Sequence, residues 1–183
     1  MGKREQTRMR LQDCALELFE RQGFEATTVA QIAAAARVTP MTFFRHFPAK
    51  ESVLLDDPYD PLIAAAVAAQ PHTLAPLIRV TEGFRQAWAQ VPEPDGDVVR
   101  RRVRIAAQHP GLRAAVAANS ARTETLIADA LARTGVDALP ARAAAAAAMA
   151  AMTTAMFEWA TGTGLTLGTA VRTVLDTLEA RDD

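Results

Sequence analysis

Apolar side chains recur at spacings of three and four along nearly the whole chain, as they do in helices that each bury one face. Leu11, Ala15, Leu18 and Phe19 set the first stripe, with Cys14 among them. They predict a helix over residues 7–22, stopped by Gly23 just beyond its end. Val29, Ile32, Ala33 and Ala36 set the second, and Thr28 stands where an N-cap is needed. Arg37 and Val38 break that rhythm. Thr39-Pro40 restarts it, with Thr39 as cap and Pro40 at the first helical position, where a missing N–H costs nothing. This third helix ends near Phe47, because Pro48 biases the residue before it away from helical geometry. A fourth helix opens at residues 49–51 and runs through Val53, Leu54 and Leu55. Residues 56–61, with two prolines, read as a joint. Beyond it lie helices over residues 62–70, 73–91 (Leu77, Val80, Phe84, Trp88), 97–109, 112–134 and 140–160, with a loop at residues 92–96. The last helix carries the seam Leu167, Val171, Val174, Leu175 and Leu178. No period-two run and no internal repeat is present. The fold class is all-α, with an N-terminal three-helix head (residues 1–55) and a C-terminal helical body (residues 56–183).

Two short capped helices across a tight turn have the helix-turn-helix shape, and the second is the one that enters a major groove. Thr39, Pro40, Met41, Thr42 and Arg45 lie on its first exposed turns. Arg45 either pairs with guanine O6 and N7 or holds a phosphate. Met41 suits a thymine methyl. Val29, Ile32, Val38, Phe43 and Phe47 are core by their spacing. Residues 2–10 read as a basic arm, either reaching phosphates or solvated. Lys50 stands near the free N–H groups of the fourth helix, a place that favours an anion.

Charge sharpens this picture. The net charge is −1, which argues against a protein that coats nucleic acid throughout. Residues 1–50, however, carry eight Lys/Arg against five Asp/Glu, and the remainder twelve against sixteen. A basic head on an acidic body fits DNA binding at one end only.

Catalytic chemistry has no constellation to rest on, so the chain is expected not to be an enzyme. The three histidines (His46, His72, His109) stand apart, and no Gly-rich phosphate loop or G-x-S-x-G is present. One cysteine, Cys14, excludes an internal disulfide and a cysteine-based zinc site within one chain, and its place in an apolar stripe reads as packing. No metal or cofactor is expected. The first twenty residues mix charges with apolar positions, unlike a secretory signal, and Gln6 breaks the myristoylation pattern. A cytoplasmic location is the expectation.

The segment ARAAAAAAMAAMTTAMFEWA, residues 141–160, is the most unusual stretch. A membrane span needs about 20 mostly apolar residues. The run between Arg142 and Glu158 is shorter and mostly alanine, so no membrane is expected. Met149, Met152, Met156 and Trp159 fall on one seam. With Leu167, Val171, Val174 and Leu178 they suit a four-helix interface with a second copy, a homodimer. Phe84, Trp88, Met149, Met152 and Met156 either line an apolar cavity or are plain core, the commoner role of such stripes. Arg101 or Arg104 either meets an acidic group on a ligand or stands as solvated surface, with Arg104 the pocket candidate.

The run T-V-x-x-I-A-x-x-A-x-V-T-x-x-T-F-F-x-H-F-x-x-K at residues 28–50, with A-L-E-L-F-E-R-Q-G-F at residues 15–24 before it, resembles the DNA-binding signature of TetR-family transcriptional regulators. The resemblance covers the first third of the chain. It implies that Thr28, Thr42, His46 and Lys50 contact the DNA backbone; for His46 the alternative is a packed interdomain histidine. Three positions depart from the family pattern. Arg37 stands where Gly is common, so the turn either needs no positive φ or is strained. Met41 replaces a small residue. Phe44 replaces Tyr and offers only an apolar contact. More loosely, R-x-R-I-A-A-Q-H-P-G-L-R at residues 102–113 and the Ala-rich helix resemble the acyl-CoA-like ligand-binding C-terminal domain of some members. The resemblance implies a ligand-responsive repressor that binds a pseudo-palindromic double-stranded operator as a homodimer and answers to an apolar or acyl-type effector. The alternative is a helical small-molecule-binding or protein-interaction module whose head no longer binds DNA.

Overall fold

The computed structural model describes residues 2–55, 59–90 and 96–180. Every regular element among them is helical: α1 (Lys3–Gln22), α2 (Val29–Ala35), α3 (Pro40–His46), α4 (Ser52–Leu55), α5 (Asp60–Ala68), α6 (Pro76–Gln90), α7 (Gly96–Gln108), α8 (Pro110–Ala132), α9 (Ala138–Thr161) and α10 (Leu167–Leu178). The first half of the expected joint (residues 56–58) and most of the loop expected at residues 92–96 lie outside the described residues.

The caps explain the boundaries of the head. The Thr28 hydroxyl accepts the N–H of Gln31, and the Gln31 side chain accepts the N–H of Thr28, a reciprocal capping box. Thr39 caps α3 in the same way through the N–H of Thr42, and Pro40 follows it. Between them the chain turns by a Schellman motif: Val38 N–H bonds Ala33 O and Arg37 N–H bonds Ala34 O. That motif puts its turning residue in the left-handed region, and Arg37 has φ +54°. The turn is therefore strained, at a cost of roughly 1–2 kcal/mol for an L-residue.

Several boundaries differ from the sequence reading. The N-terminal arm is already helix from Lys3. Helix α4 is confined to Ser52–Leu55. Helix α9 starts ahead of Pro140, which sits in the first turn, where an N–H has no intrahelical partner to lose.

Two apolar cores form. One gathers Leu11, Leu16, Phe19, Phe24, Ile32, Phe43, Phe47 and Val53 from α1–α4 and the turns between them, together with Ala106 of α7 and Leu112 of α8. The head is thus closed from below by the α7–α8 corner. The other lies among α5, α6, α8, α9 and α10, with α9 at its centre. Its inward positions on α9 are mostly alanine (Ala141, Ala144, Ala145, Ala148, Ala155), which lets neighbouring helices close in. Helices α5 and α6 meet more closely still. A Cβ on Gly83 would come within 2.5–2.8 Å of Val67.

Candidate DNA-binding face and effector cavity

Helix α3 divides by periodicity into two faces. Phe43 is fully buried and Phe47, just past the helix end, is 1% exposed. On the other face Met41 is 71% exposed and Phe44 51%, with Arg45, Pro40 and Thr39 also exposed. Two large apolar side chains left in water beside an arginine, on a short helix capped at its start, make a contact surface with both apolar and charged reach. Thr42 is half-buried, its hydroxyl 3.0 Å from that of Thr39. Thr28 is exposed at the start of α2.

Lys50 is placed otherwise than the sequence reading had it. Its ammonium donates to Phe24 O (2.7 Å) and Thr27 O (2.9 Å) and lies 4.0 Å from the centre of the Phe24 ring. It ties the α1–α2 turn to the far side of the head. Arg8, part of the expected arm, likewise turns inward. It donates to His46 O (3.1 Å) and stacks 4.5 Å over Phe47. His46 is half-buried, and burial, followed by the nearby Arg4, Arg8 and Arg45, lowers its pKa below the ordinary imidazole value. The shift favours the neutral imidazole. Cys14 is half-buried against the head core, and burial, then Glu17 and Asp13, push its thiol up, away from reactive thiolate.

The body holds a cavity of about 290 Å³. Four helical stripes converge on it: Phe84, Ala87 and Trp88 of α6; Val99, Arg102, Val103 and Ala106 of α7; Val116, Asn119, Ser120 and Thr123 of α8; and Met149, Met152, Thr153 and Met156 of α9. Leu54 and Leu55 of α4 complete the wall towards the head. Five of the six sequence candidates (Phe84, Trp88, Met149, Met152, Met156) line this space. Arg104 does not: its Nε donates to Ala160 O (3.3 Å) at the carbonyl end of α9, where a cation is favoured. The arginine in the wall is Arg102, whose Nε and Nη2 donate to Leu54 O at 3.2 and 2.8 Å. Next to it, Arg101 makes a two-pronged ion pair with Glu20 of α1, at 2.7 and 2.5 Å. Consecutive arginines of α7 thus grip α4 and α1 of the head.

The seam assigned to a dimer faces inward. Trp159, Leu167 and Val171 are 4%, 3% and 2% exposed within the single chain. The three methionines belong to the cavity, and Val174 and Leu178 are half-buried against the body core. Helical spacing showed which residues share a face; the core they face is the chain's own. The side of α9 left in water carries Leu139, Ala143, Ala146, Ala150 and Thr154.

Two family profiles match the chain. That of bacterial regulatory proteins of the tetR family matches residues 11–56, and that of the MftR C-terminal domain matches residues 74–183. This chain belongs to the TetR family. The HTH-type transcriptional regulator TcmR of Streptomyces glaucescens is 38% identical over 143 residues, a match that covers 74% of this chain and 63% of TcmR. Among solved structures, NalD, the secondary repressor of the MexAB-OprM multidrug efflux pump in Pseudomonas aeruginosa, has a TM-score of 0.59 at 18% identity, over 97% of this chain and 96% of its own. FadR of Thermus thermophilus, solved in complex with lauroyl-CoA, has a TM-score of 0.52 at 24% identity, over 95% and 94%. FadR of Bacillus subtilis, solved in complex with stearoyl-CoA, has a TM-score of 0.55 at 16% identity, over 96% and 99%. At these identities the three structures show a shared fold.

The chain spans less than two thirds of the length of TcmR, and its membership of the TetR family supports DNA-binding, ligand-responsive regulation in general terms. Among the described residues no cluster of His, Cys, Asp and Glu is placed to hold a metal ion, and no helix is long and apolar enough to cross a membrane. For a TetR-family chain, the residues that sequence reasoning missed are Arg102, Asn119, Ser120, Thr123 and Phe157. All of them fall at spacings of three or four with other wall residues, a signal that identifies a shared face but not a hollow in front of it.

Proposed function

We propose that this chain is a homodimeric repressor that grips a pseudo-palindromic double-stranded operator through the exposed face of α3 and releases it when an apolar or acyl-type small molecule fills the body cavity. The observation that carries the DNA reading is the exposure of Met41 and Phe44 beside Arg45 on a capped helix whose other face is fully buried. Thr28, Thr39, Pro40, Thr42 and His46 belong to the same end of the head. A second copy meets the exposed side of α9, where small side chains at Ala143, Ala146 and Ala150 allow close approach. Two such heads would present their α3 helices to half-sites one or more turns apart, about 34–36 Å per turn.

Release works through α7. Its Arg102 stands in the cavity wall and holds Leu54 O, and its Arg101 holds Glu20, so a ligand that moves α7 moves the head. A ligand that prefers the displaced arrangement weakens DNA binding, and DNA weakens ligand binding by the same factor. Two structural neighbours solved with acyl-CoA support an apolar ligand in this fold.

Selection of genomic fragments by the purified protein, followed by titrations across salt, tests the reading. A palindromic site with a steep salt slope is expected, with Arg45→Ala weakening it at unchanged melting temperature. No enriched site, and weak binding indifferent to Arg45→Ala, would sink the DNA claim and favour a ligand- or protein-binding module.

A further inference from the structure

The wall of the body cavity is not uniform. On α6, α7 and α9 it is built mainly of Phe84, Trp88, Val99, Val103 and the three methionines. On α8 the three positions after Val116 that face the space are Asn119, Ser120 and Thr123, one stripe at spacings of one to three. Thr123 is only 1% exposed and lines this space. Thr153, across the cavity, behaves as a helical threonine usually does and returns its hydroxyl to Met149 O at 2.9 Å. A polar stripe of this kind on an otherwise apolar wall is how a small-molecule site fixes the orientation of its ligand.

We infer that the cavity selects a compact, uncharged ligand with an apolar body and a hydroxyl or carbonyl at one end, which docks on Asn119, Ser120 and Thr123. This rests on the reading of the cavity as an effector site and names the chemistry of the effector. Each of the three side chains can both donate and accept, so either end group is served. Charge is disfavoured. Among the described residues the one cation in the wall, Arg102, points its Nε and Nη2 at Leu54 O. An anion placed among the methionines and aromatic rings would lose its hydration with no matched partner. The body of the ligand lies against Trp88, Phe84 and the methionine thioethers, which adapt to flat or irregular shapes. A volume of about 290 Å³ sits at the lower end for small-molecule sites, so the ligand is compact.

The test is calorimetric titration of the full chain with three probes that share one body: 2-naphthol, 2-methylnaphthalene and 2-naphthoate. 2-Naphthol is expected to bind about tenfold more tightly than 2-methylnaphthalene, the worth of one to two hydrogen bonds, and more tightly than 2-naphthoate. Thr123→Val, which keeps shape and removes the hydroxyl, is expected to remove most of that preference without weakening 2-methylnaphthalene. Equal binding of 2-naphthol and 2-methylnaphthalene, or a preference that survives Thr123→Val and Asn119→Ala, would overturn the polar anchor and leave the effector cavity standing. Tightest binding by 2-naphthoate would overturn the uncharged class and pass the role to Arg102. Failure of all three to bind protein that still holds its operator would overturn the cavity as a ligand site, and this inference with it.

Discussion

The head and the body use the same helices differently. The head is packed with large side chains: Leu11, Leu16, Ile32, Phe43 and Phe47 are all within 1% of full burial. What it offers a partner lies outside, on the exposed face of α3. The body is built around an alanine-rich helix and is hollow beside it, so what it offers lies inside. A surface device is written in which residues face out, and periodicity reveals that directly. An interior device is written in the space that side chains leave, which depends on how several helices cross.

The largest effect that would break this comparison is at Phe43. Phe43→Ala is expected to destabilise the chain by about 3–5 kcal/mol, read from the denaturant midpoint. Met152→Ala, which already faces a hollow, should cost much less and enlarge the cavity instead. Equal losses at the two positions would mean that the body is as tightly filled as the head.

Next in size is Lys50. Its two carbonyl bonds and its contact with Phe24 make Lys50→Met a loss of about 2 kcal/mol. In conditions where the variant is folded, the salt slope of operator binding should match that of the parent chain. A flattened slope at unchanged stability would instead return Lys50 to the phosphate. Smallest is Arg37. Arg37→Gly relieves the left-handed φ but frees the unfolded chain, so a gain of up to about 1 kcal/mol is expected. A loss would show that the Arg37 side chain does more than endure its backbone.

These positions also mark what the sequence made legible. Thr28, Thr39 and Pro40 are local signals, read by the residues next to them, and the two short helices stand where those signals put them. The inward and outward faces of α3 followed from spacing. Lys50 did not follow, because its acceptors, Phe24 O and Thr27 O, lie 26 and 23 residues back along the chain. Arg102 and Arg104 differ by two positions, roughly 200° around a helix. Only the place where α7 packs tells which of them looks into the cavity. For Met149, Met152 and Met156, the spacing gave the face correctly, but not whether that face met a second copy or the chain's own interior. The strain at Arg37 was left open by sequence and is explained by the Schellman turn.

Ala106 and Leu112 are counted among the head's own buried side chains, although they stand on α7 and α8. Heads and bodies of this design are therefore poor candidates for exchange at the joint near residue 55. A recombinant that took α1–α4 alone would leave one wall of its core behind and set Phe24 and Leu54 against an ill-fitting neighbour. A functional graft must carry the α7–α8 corner along, and with it part of the ligand wall. On the operator reading proposed above, the address is thus easier to change by substitution on the outer face of α3 than by borrowing another head.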